Sequence, residues 1–254
     1  MSSRRKRDIN LPAPYLRRLW LDPSRVPDPE AYPFCLPFLR DEFSLSFDRA
    51  VTIIVGENGT GKSTLLEGIA VLAGYNEAGG GKGYMTVDHS MATEVMGGKL
   101  SAALRELVTE DHERMVFSRR EFFLGCPLFG RSRTRSRTTG AGLPLAFAWR
   151  RLSAVLRGAL PAARHLYFDE PESALSPSRQ MEFLKLLQMM DRSGHCQVIM
   201  ATHSPVLMAY PNATLLRLSK YGLEPTTVEQ TDHFKALREF FDDPKGFIEA
   251  AIGD

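Results

Sequence analysis

The chain has 254 residues, 43% of them hydrophobic, and its 32 Lys and Arg residues against 30 Asp and Glu give a formal net charge of +2 at pH 7. This length and composition fit one large α/β domain or two small ones with a real core. Because the net charge is close to zero, bulk charge does not predict binding to nucleic acid or to a membrane. No apolar run reaches the roughly eighteen residues of a spanning helix, so we expect no integral membrane segment.

The first fifty residues are predicted to form short strands between proline-rich turns. Residues 1–10 read as a basic, disordered tail, with Arg4, Arg5, Lys6 and Arg7 in a row and no apolar segment of a secretory signal. Strands are expected over Tyr15 to Leu21 and over Phe43 to Phe47, where apolar residues cluster between prolines. The scattered thiols Cys35, Cys126 and Cys196 lack metal-like spacing and fit a cytoplasmic protein.

A phosphate-binding loop follows the β-branched run Val51 to Val55. The segment fills every fixed position of the pattern G-x-x-x-x-G-K-[ST]. The predicted cofactor-binding residues are Gly56, Glu57, Asn58, Gly59, Thr60, Gly61, Lys62, Ser63 and Thr64. In such a loop the backbone N–H groups surround phosphates, the lysine reaches the terminal phosphates and the serine hydroxyl binds Mg²⁺. The next helix directs its N-terminal dipole at the same anions.

The middle of the chain is predicted to be a variable helical and loop insertion over residues 76–145. Glycine clusters flank its first part, and Leu100 to Leu107 has the spacing of a helix. A basic segment of low complexity runs from Arg131 to Thr139. Charge runs of this kind are usually solvated, although they also motivate DNA as a candidate partner.

The last third alternates strands and helices, which indicates a mainly parallel sheet with helices on both faces. The predicted elements are a strand at His165 to Phe168, a helix near Ser178 to Met190, a strand at Gln197 to Ala201, a helix from Pro205, a strand at Thr214 to Ser219 and a helix near Phe234 to Phe241.

Polar side chains stand at the ends of two of these strands. Asp169 and Glu170 follow one apolar run and His203 follows the next. Ligands of α/β sheets bind at the carboxyl ends of the strands. Asp169 is therefore predicted to bind Mg²⁺ with Ser63, and Glu170 to act as the general base on the attacking water. His203 is placed to sense the γ-phosphate, because imidazole donates and accepts protons near neutral pH.

Together, the phosphate loop, LYFDEPESALSP and VIMATHSP resemble an ABC-type ATPase head. The likeness extends to the small soluble bacterial predicted ATPases of that class, which are related to RecF/SMC-type DNA-repair heads. It implies one ATPase domain over residues 1–254, an α/β P-loop NTPase fold with a mainly parallel sheet and an antiparallel β N-terminal portion. It also implies ATP and Mg²⁺ as cofactors, Lys62, Glu170 and His203 as catalytic residues, a D-loop at Ser173 to Ser176, and an ATP-dependent homodimer.

Two elements of that family depart from its pattern. The signature loop is expected upstream of Asp169, where the chain has the basic run Arg133 to Gly142. It is either a divergent loop or the product of a local frameshift, since codons for Thr134 to Thr138 read one base earlier can give His-Ala-Gln-Ser-His. A frameshift would impair activation of ATP by the second copy of the dimer while nucleotide still binds, and a divergent loop is also expected to impair the ATPase activity. Glu121 is the candidate for the Q-loop residue, with a surface acid as the alternative.

Three functions share this fold. The first is an ATP-hydrolysing switch that dimerises with nucleotide, and the second is a DNA-binding, repair-associated ATPase. The third is the nucleotide subunit of a transporter, which lacks support here because the signature and a clear Q-loop are absent, so a membrane partner is not expected. A ring-forming AAA+ or RecA-like motor is disfavoured by the Glu directly after Asp169 and by His203.

Overall fold

The computed structural model describes residues 12–40, 42–73, 80–81, 96–108, 115–118 and 165–253. The strands are β1 (Leu16–Leu21), β2 (Ser44–Ser46), β3 (Val51–Val55), β4 (Gly80–Gly81), β5 (Leu104–Val108), β6 (Met115–Ser118), β7 (His165–Asp169), β8 (Gln197–Ala201), β9 (Thr214–Ser219) and β10 (Gly222–Pro225). The helices are α1 (Lys62–Leu72), α2 (Met96–Ala103), α3 (Pro177–Ser193), α4 (Pro205–Met208), α5 (Asp232–Asp242) and α6 (Pro244–Ile252). Within these ranges no helix is long and apolar enough to cross a membrane.

The main sheet has seven strands in the order β10-β9-β3-β8-β7-β6-β4. Strands β9, β3, β8, β7 and β6 are parallel, and the two edge strands, β10 and β4, pair antiparallel with their neighbours. This confirms the predicted α/β class and the mainly parallel sheet. Strand β8 lies between β3 and β7, so the polar segments that follow these three strands emerge side by side at one edge.

Each central strand alternates between two apolar cores. Ile54 faces a core built with α1, α2 and the N-terminal strands, whereas Ile53 and Val55 face a second core with α3 and α4. All five residues of β3, β7 and β8 are buried, which is expected of parallel strands covered on both faces. Burial of each large apolar side chain here stabilises the fold by about 2 kcal/mol.

A second, three-stranded antiparallel sheet, β2-β1-β5, forms the N-terminal part of the fold, as predicted. The buried side chain of Gln197 fixes where the chain enters β1. Its Oε1 accepts from the backbone N–H groups of Tyr15 and Leu16, both at 2.8 Å, and its Nε2 donates to the carbonyl of Leu16 at 3.0 Å. The small sheet is therefore held directly against the main sheet.

The observed elements differ from the prediction mainly in the middle of the chain. The helix expected over Leu100 to Leu107 ends at Ala103, and Leu104–Val108 forms β5 instead. Pairing of β5 with β1 overrides the helical spacing of these residues, because tertiary contacts outweigh local propensity. The predicted insertion over 76–145 also contributes β6, which pairs with β7 in the main sheet. Strand β10 and helix α6 were not predicted.

Candidate nucleotide and catalytic site

The phosphate loop connects β3 to α1, and two of its glycines are required by the geometry. Gly56 has φ +154°, and a Cβ at this position would collide with the backbone carbonyl of Leu218 in β9. Gly61 has φ +95°, and its Cβ would lie 2.9 Å from the ring of Phe38. Only glycine combines these dihedral angles with such close neighbours, so backbone N–H groups can approach a ligand without an intervening side chain.

Lys62 begins α1 and folds back over the loop. Lys62 is 5% exposed, and its Nζ donates to the carbonyls of Gly56 and Glu57, both at 2.8 Å. Burial lowers the pKa of Lys62, while the carboxylates of Glu170 and Asp169 act in the opposite direction. The lysine that was predicted to bind phosphate thus lies within electrostatic reach of both acids at the end of β7.

Ser63 and Asp169 form the candidate magnesium site. The hydroxyl of Ser63 donates to Oδ1 of Asp169 at 3.2 Å, and Asp169 is 5% exposed at the end of β7. Among the residues described, no group of three or more His, Cys, Asp or Glu side chains could hold a metal by itself. One carboxylate and one hydroxyl nevertheless suit Mg²⁺, which keeps several waters and completes its shell with substrate phosphates.

Glu170 joins the ends of β7 and β8. Its backbone is left-handed, with φ 46° and ψ 56°, an uncommon conformation for a residue other than glycine. Its N–H donates to the carbonyl of Ala201 at 2.9 Å. This turn places Oε1 of Glu170 3.7 Å from Nε2 of His203, so the predicted base and the predicted sensor face each other. Unusual backbone angles of this kind often occur at functional sites.

Glu172 was not predicted to belong to the site, yet it holds the end of β8. Oε1 of Glu172 accepts from the backbone N–H of His203 at 2.6 Å, and Oε2 accepts from the hydroxyl of Thr202 at 2.8 Å. Burial raises the pKa of Glu172, and these two hydrogen bonds oppose that rise. The second Glu of the Glu-Pro-Glu sequence was available as a signal, but among the acids of this segment the sequence analysis assigned roles to Asp169 and Glu170 alone.

His233 was also missed, and it contacts His203 from the first turn of α5. Nδ1 of His203 lies 2.8 Å from Nε2 of His233. Burial lowers the pKa of His203; the charges of Lys62 and His233 add to this effect and that of Glu170 opposes it. No sequence signal connects His233 with the site, because it begins a surface helix thirty residues away from its partner.

The remaining predicted residues lie where the loop is expected to hold phosphates. Thr64 is buried, and its hydroxyl bonds that of Tyr32 from the N-terminal segment. Thr60 donates to the carbonyl of Glu57 at 2.9 Å, which closes the tip formed with Asn58 and Gly59. The predicted signature run at 133–142, the candidate Q-loop residue Glu121 and the basic tail at 1–10 lie outside the described residues.

Comparison with protein families gives two matches. Residues 35–141 match a family described as an AAA domain. Residues 148–209 match an AAA domain described as a proposed AbiEii toxin of a Type IV TA system. The first range contains the phosphate loop, and the second contains the acidic pair and His203. Neither range covers half of the chain, and a comparison with curated proteins gives no significant match.

Solved ABC transporter components are among the structures that resemble the chain, with low sequence identity. A proposed metal-chelate type ABC transporter in an inward-facing conformation is 19% identical, with a TM-score of 0.45, over 77% of this chain and 80% of that one. CbiO1 from Clostridium perfringens, part of the ABC transporter complex cbiONQ, is 17% identical, with a TM-score of 0.43, over 94% and 100%. The dimeric bacterial ABC transporter cassette MJ0796 is 14% identical, with a TM-score of 0.42, over 75% and 90%.

The phosphate loop, the acidic pair at the end of β7 and the two family matches indicate the class of protein. Both matched families are AAA domains, and these matches support a protein of the P-loop ATPase type, in line with the sequence.

Proposed function

We propose that the chain acts as one ATPase domain that binds ATP with Mg²⁺ and hydrolyses it to ADP and phosphate. The observation that carries this proposal is the convergence of three strand ends. The Ser63 hydroxyl lies 3.2 Å from Asp169, and Glu170 lies 3.7 Å from His203, with the ammonium of Lys62 within electrostatic reach of both pairs. A phosphate cradle, a cation site, a base and an imidazole then surround one small volume.

The loop residues fit a triphosphate. Gly56 and Gly61 place no side chain between the loop backbone and an anion, and Lys62 supplies the positive charge. Lys62 now donates to two loop carbonyls, and it would exchange these for phosphate oxygens. Ser63 and Asp169 would hold Mg²⁺, which when bound neutralises charge on the phosphates.

Glu170 and His203 would handle protons at the terminal phosphate. The carboxylate of Glu170 would accept a proton from the water that attacks the γ-phosphorus, while the bond from that phosphorus to the bridging oxygen breaks and ADP leaves. Nε2 of His203 would donate a hydrogen bond to a γ-phosphate oxygen. The tight turn at Glu170 supports this assignment, since it directs the carboxylate toward His203 rather than back into the sheet.

We further propose that ATP closes a homodimer of this chain in the cytoplasm. The loop tip at Glu57, Asn58 and Gly59 is exposed, so a second copy has access to a nucleotide bound there. Differential affinity for the open and closed states would then let hydrolysis drive a bound partner.

The deciding experiment measures ATP affinity and phosphate release for the purified full-length protein with Mg²⁺. Lys62→Ala should abolish ATP binding, whereas Lys245→Ala, on an exposed side chain of α6, should leave it unchanged. Size-exclusion chromatography with and without ATP tests the dimer. Wild-type protein that binds no ATP in the presence of Mg²⁺ would overturn the proposed function.

Two alternatives remain as outcomes of the same assays. Stimulation of ATP hydrolysis by DNA with a steep salt dependence would assign a DNA-associated role, and absence of DNA binding at low salt would exclude it. Co-purification with an integral membrane protein would assign a transporter role. Contacts of the described residues favour neither.

A further inference from the structure

We propose that His233 is a positioning residue, which fixes the tautomer and orientation of His203 so that Nε2–H points to Glu170 and the γ-phosphate. This inference rests on the proposed ATPase function and deepens it. It assigns a role in hydrolysis to the first turn of α5. This helix contributes none of the site residues that were predicted from the sequence.

The local fold places His233 firmly. Thr231 is 2% exposed and caps α5: its hydroxyl accepts from the N–H of Phe234 at 3.3 Å and donates to the carbonyl of Val228 at 2.6 Å. Val228 packs against the core that lies between the main sheet and α3. The start of α5 is thus anchored to that core, and His233 follows the cap by two residues.

The two imidazole rings are in direct contact. Their centroids lie 4.9 Å apart and the ring planes are inclined by 56°. Nδ1 of His203 and Nε2 of His233 are separated by 2.8 Å, the distance of a good N–H···N hydrogen bond. One nitrogen must donate and the other accept, so the state of His233 sets the state of His203.

The surroundings of Nε2, the other ring nitrogen of His203, determine which histidine donates in this hydrogen bond. Nε2 of His203 is buried, has no hydrogen-bond partner in the described part of the protein, and lies 3.7 Å from the carboxylate of Glu170. A proton on Nε2 therefore meets a negative group, whereas a lone pair there would be repelled. A phosphate oxygen is also an acceptor and needs the same proton. Nδ1 of His203 must then accept, and Nε2–H of His233 donates to it.

Neutral His203 needs this arrangement, because only the neutral ring has two tautomers. Burial and the nearby charge of Lys62 favour the neutral ring by lowering the pKa of His203. Without a donor on Nδ1, the ring can take the other tautomer and present a lone pair to the phosphate. The backbone of His203 would stay in place, because its N–H donates a hydrogen bond to the carboxylate of Glu172.

The test uses the full-length protein and two substitutions at one position. His233→Leu removes the donor, and His233→Gln keeps an N–H donor of similar reach. We expect His233→Leu to lower kcat roughly tenfold or more with KM changed less than about twofold, and His233→Gln to recover most of the loss. Lys235→Ala, on the same helix and exposed, is the matched control and should behave as wild type.

Long-range ¹H–¹⁵N NMR spectra of the histidine rings give a readout that does not depend on activity. Wild type should show His203 protonated at Nε2, and His233→Leu should shift His203 toward the Nδ1-protonated form. His203→Gln assigns the signals, and circular dichroism confirms that each variant is folded.

The outcomes separate the two proposals. A wild-type His203 protonated at Nδ1, or spectra and kcat unchanged in folded His233→Leu, would overturn the positioning role. If wild-type protein hydrolyses no ATP but shows the expected tautomer and its loss in His233→Leu, the positioning of His203 stands and the hydrolytic function fails.

Discussion

The hydroxyl of Ser63 lies 3.2 Å from Oδ1 of Asp169, although Ser63 belongs to the first turn of α1 and Asp169 ends β7. The contact joins the phosphate loop to the strand that bears the acidic pair. It also brings a neutral donor and a carboxylate to the spacing at which one cation can bind both oxygens. Because one cation can bind both oxygens, the dependence of ATP binding on Mg²⁺ can be tested by substituting Asp169.

Asp169→Asn should remove most of the Mg²⁺-dependent part of ATP affinity. The amide keeps the shape of the side chain but loses its charge, so we expect binding in Mg²⁺ to weaken about tenfold or more. Calorimetric titration with Mg²⁺ and with EDTA measures the difference. Asp232→Asn, on an exposed side chain, is the control. Equal Mg²⁺ dependence in Asp169→Asn and wild type would remove Asp169 from the cation site.

Glu170→Gln should retain ATP binding and lose about 10²-fold or more in turnover, because an amide cannot accept a proton from the attacking water. Single-turnover phosphate release measures the chemical step, and nucleotide titration measures binding. Near-normal turnover in this variant would remove Glu170 from the role of general base.

Glu172→Ala should destabilise the protein by about 2 kcal/mol or more, because the N–H of His203 and the hydroxyl of Thr202 lose their acceptor. Glu172→Gln retains an acceptor and should lose less. Urea unfolding gives the free energies, with exposed Glu249→Ala as the control. A free energy of unfolding in Glu172→Ala equal to that of the control would show that these hydrogen bonds do not stabilise the end of β8.

Substitutions at two loop glycines should differ in effect. Gly59 has φ +78°, and a methyl group at this position would meet no atom within 4 Å, so Gly59→Ala should cost about 1 kcal/mol from backbone strain alone. Gly56→Ala adds a collision with the backbone of Leu218 and should cost more than this and abolish ATP binding. Thermal unfolding and nucleotide titration of both variants provide the comparison. Indistinguishable variants would mean that β9 does not constrain the loop.

Acid should destabilise wild-type protein more than His203→Gln. Burial lowers the pKa of His203 below its ordinary value of 6.5, aided by Lys62. As the pH falls below that value, the unfolded chain binds a proton at His203 before the folded protein does, so the free energy of unfolding decreases. Glu172 has the opposite pH dependence, since its pKa is raised, but it is present in both proteins. Urea unfolding between about pH 7.5 and 5.5 should show a steeper loss in wild type; parallel curves would contradict it.

The parts of the fold that the sequence predicts well are those with strong local signals. Strand β8 was predicted with its observed bounds, Gln197–Ala201, and so was β9, Thr214–Ser219. Both are short, mainly apolar segments, and both pair parallel with β3 in the main sheet. The phosphate-loop pattern is visible in the sequence because it has fixed glycine positions, and two of them, Gly56 and Gly61, have backbone angles and close contacts that no other residue type satisfies.

The residues that escaped prediction depend on contacts between distant segments. Tyr32 reaches Thr64 and His233 reaches His203 only after the chain has folded, and neither belongs to a spaced pattern. Strand β5 escaped for the same reason, since Leu104–Val108 extends a helical spacing and becomes a strand by pairing with β1. Sequence reasoning therefore found the groups proposed to act on the substrate more readily than the groups that hold them.

Glu172 lies two positions after Glu170, and its carboxylate accepts hydrogen bonds from both Thr202 and His203. These hydrogen bonds connect the segments that follow β7 and β8, so we expect a shift of one segment to displace the other. Rate losses from substitutions at Glu170 and His203 should then fail to add, with the double variant little worse than the more damaged single one. The effect of a substitution at Glu170 therefore depends on the residue at position 203, and the reverse also holds.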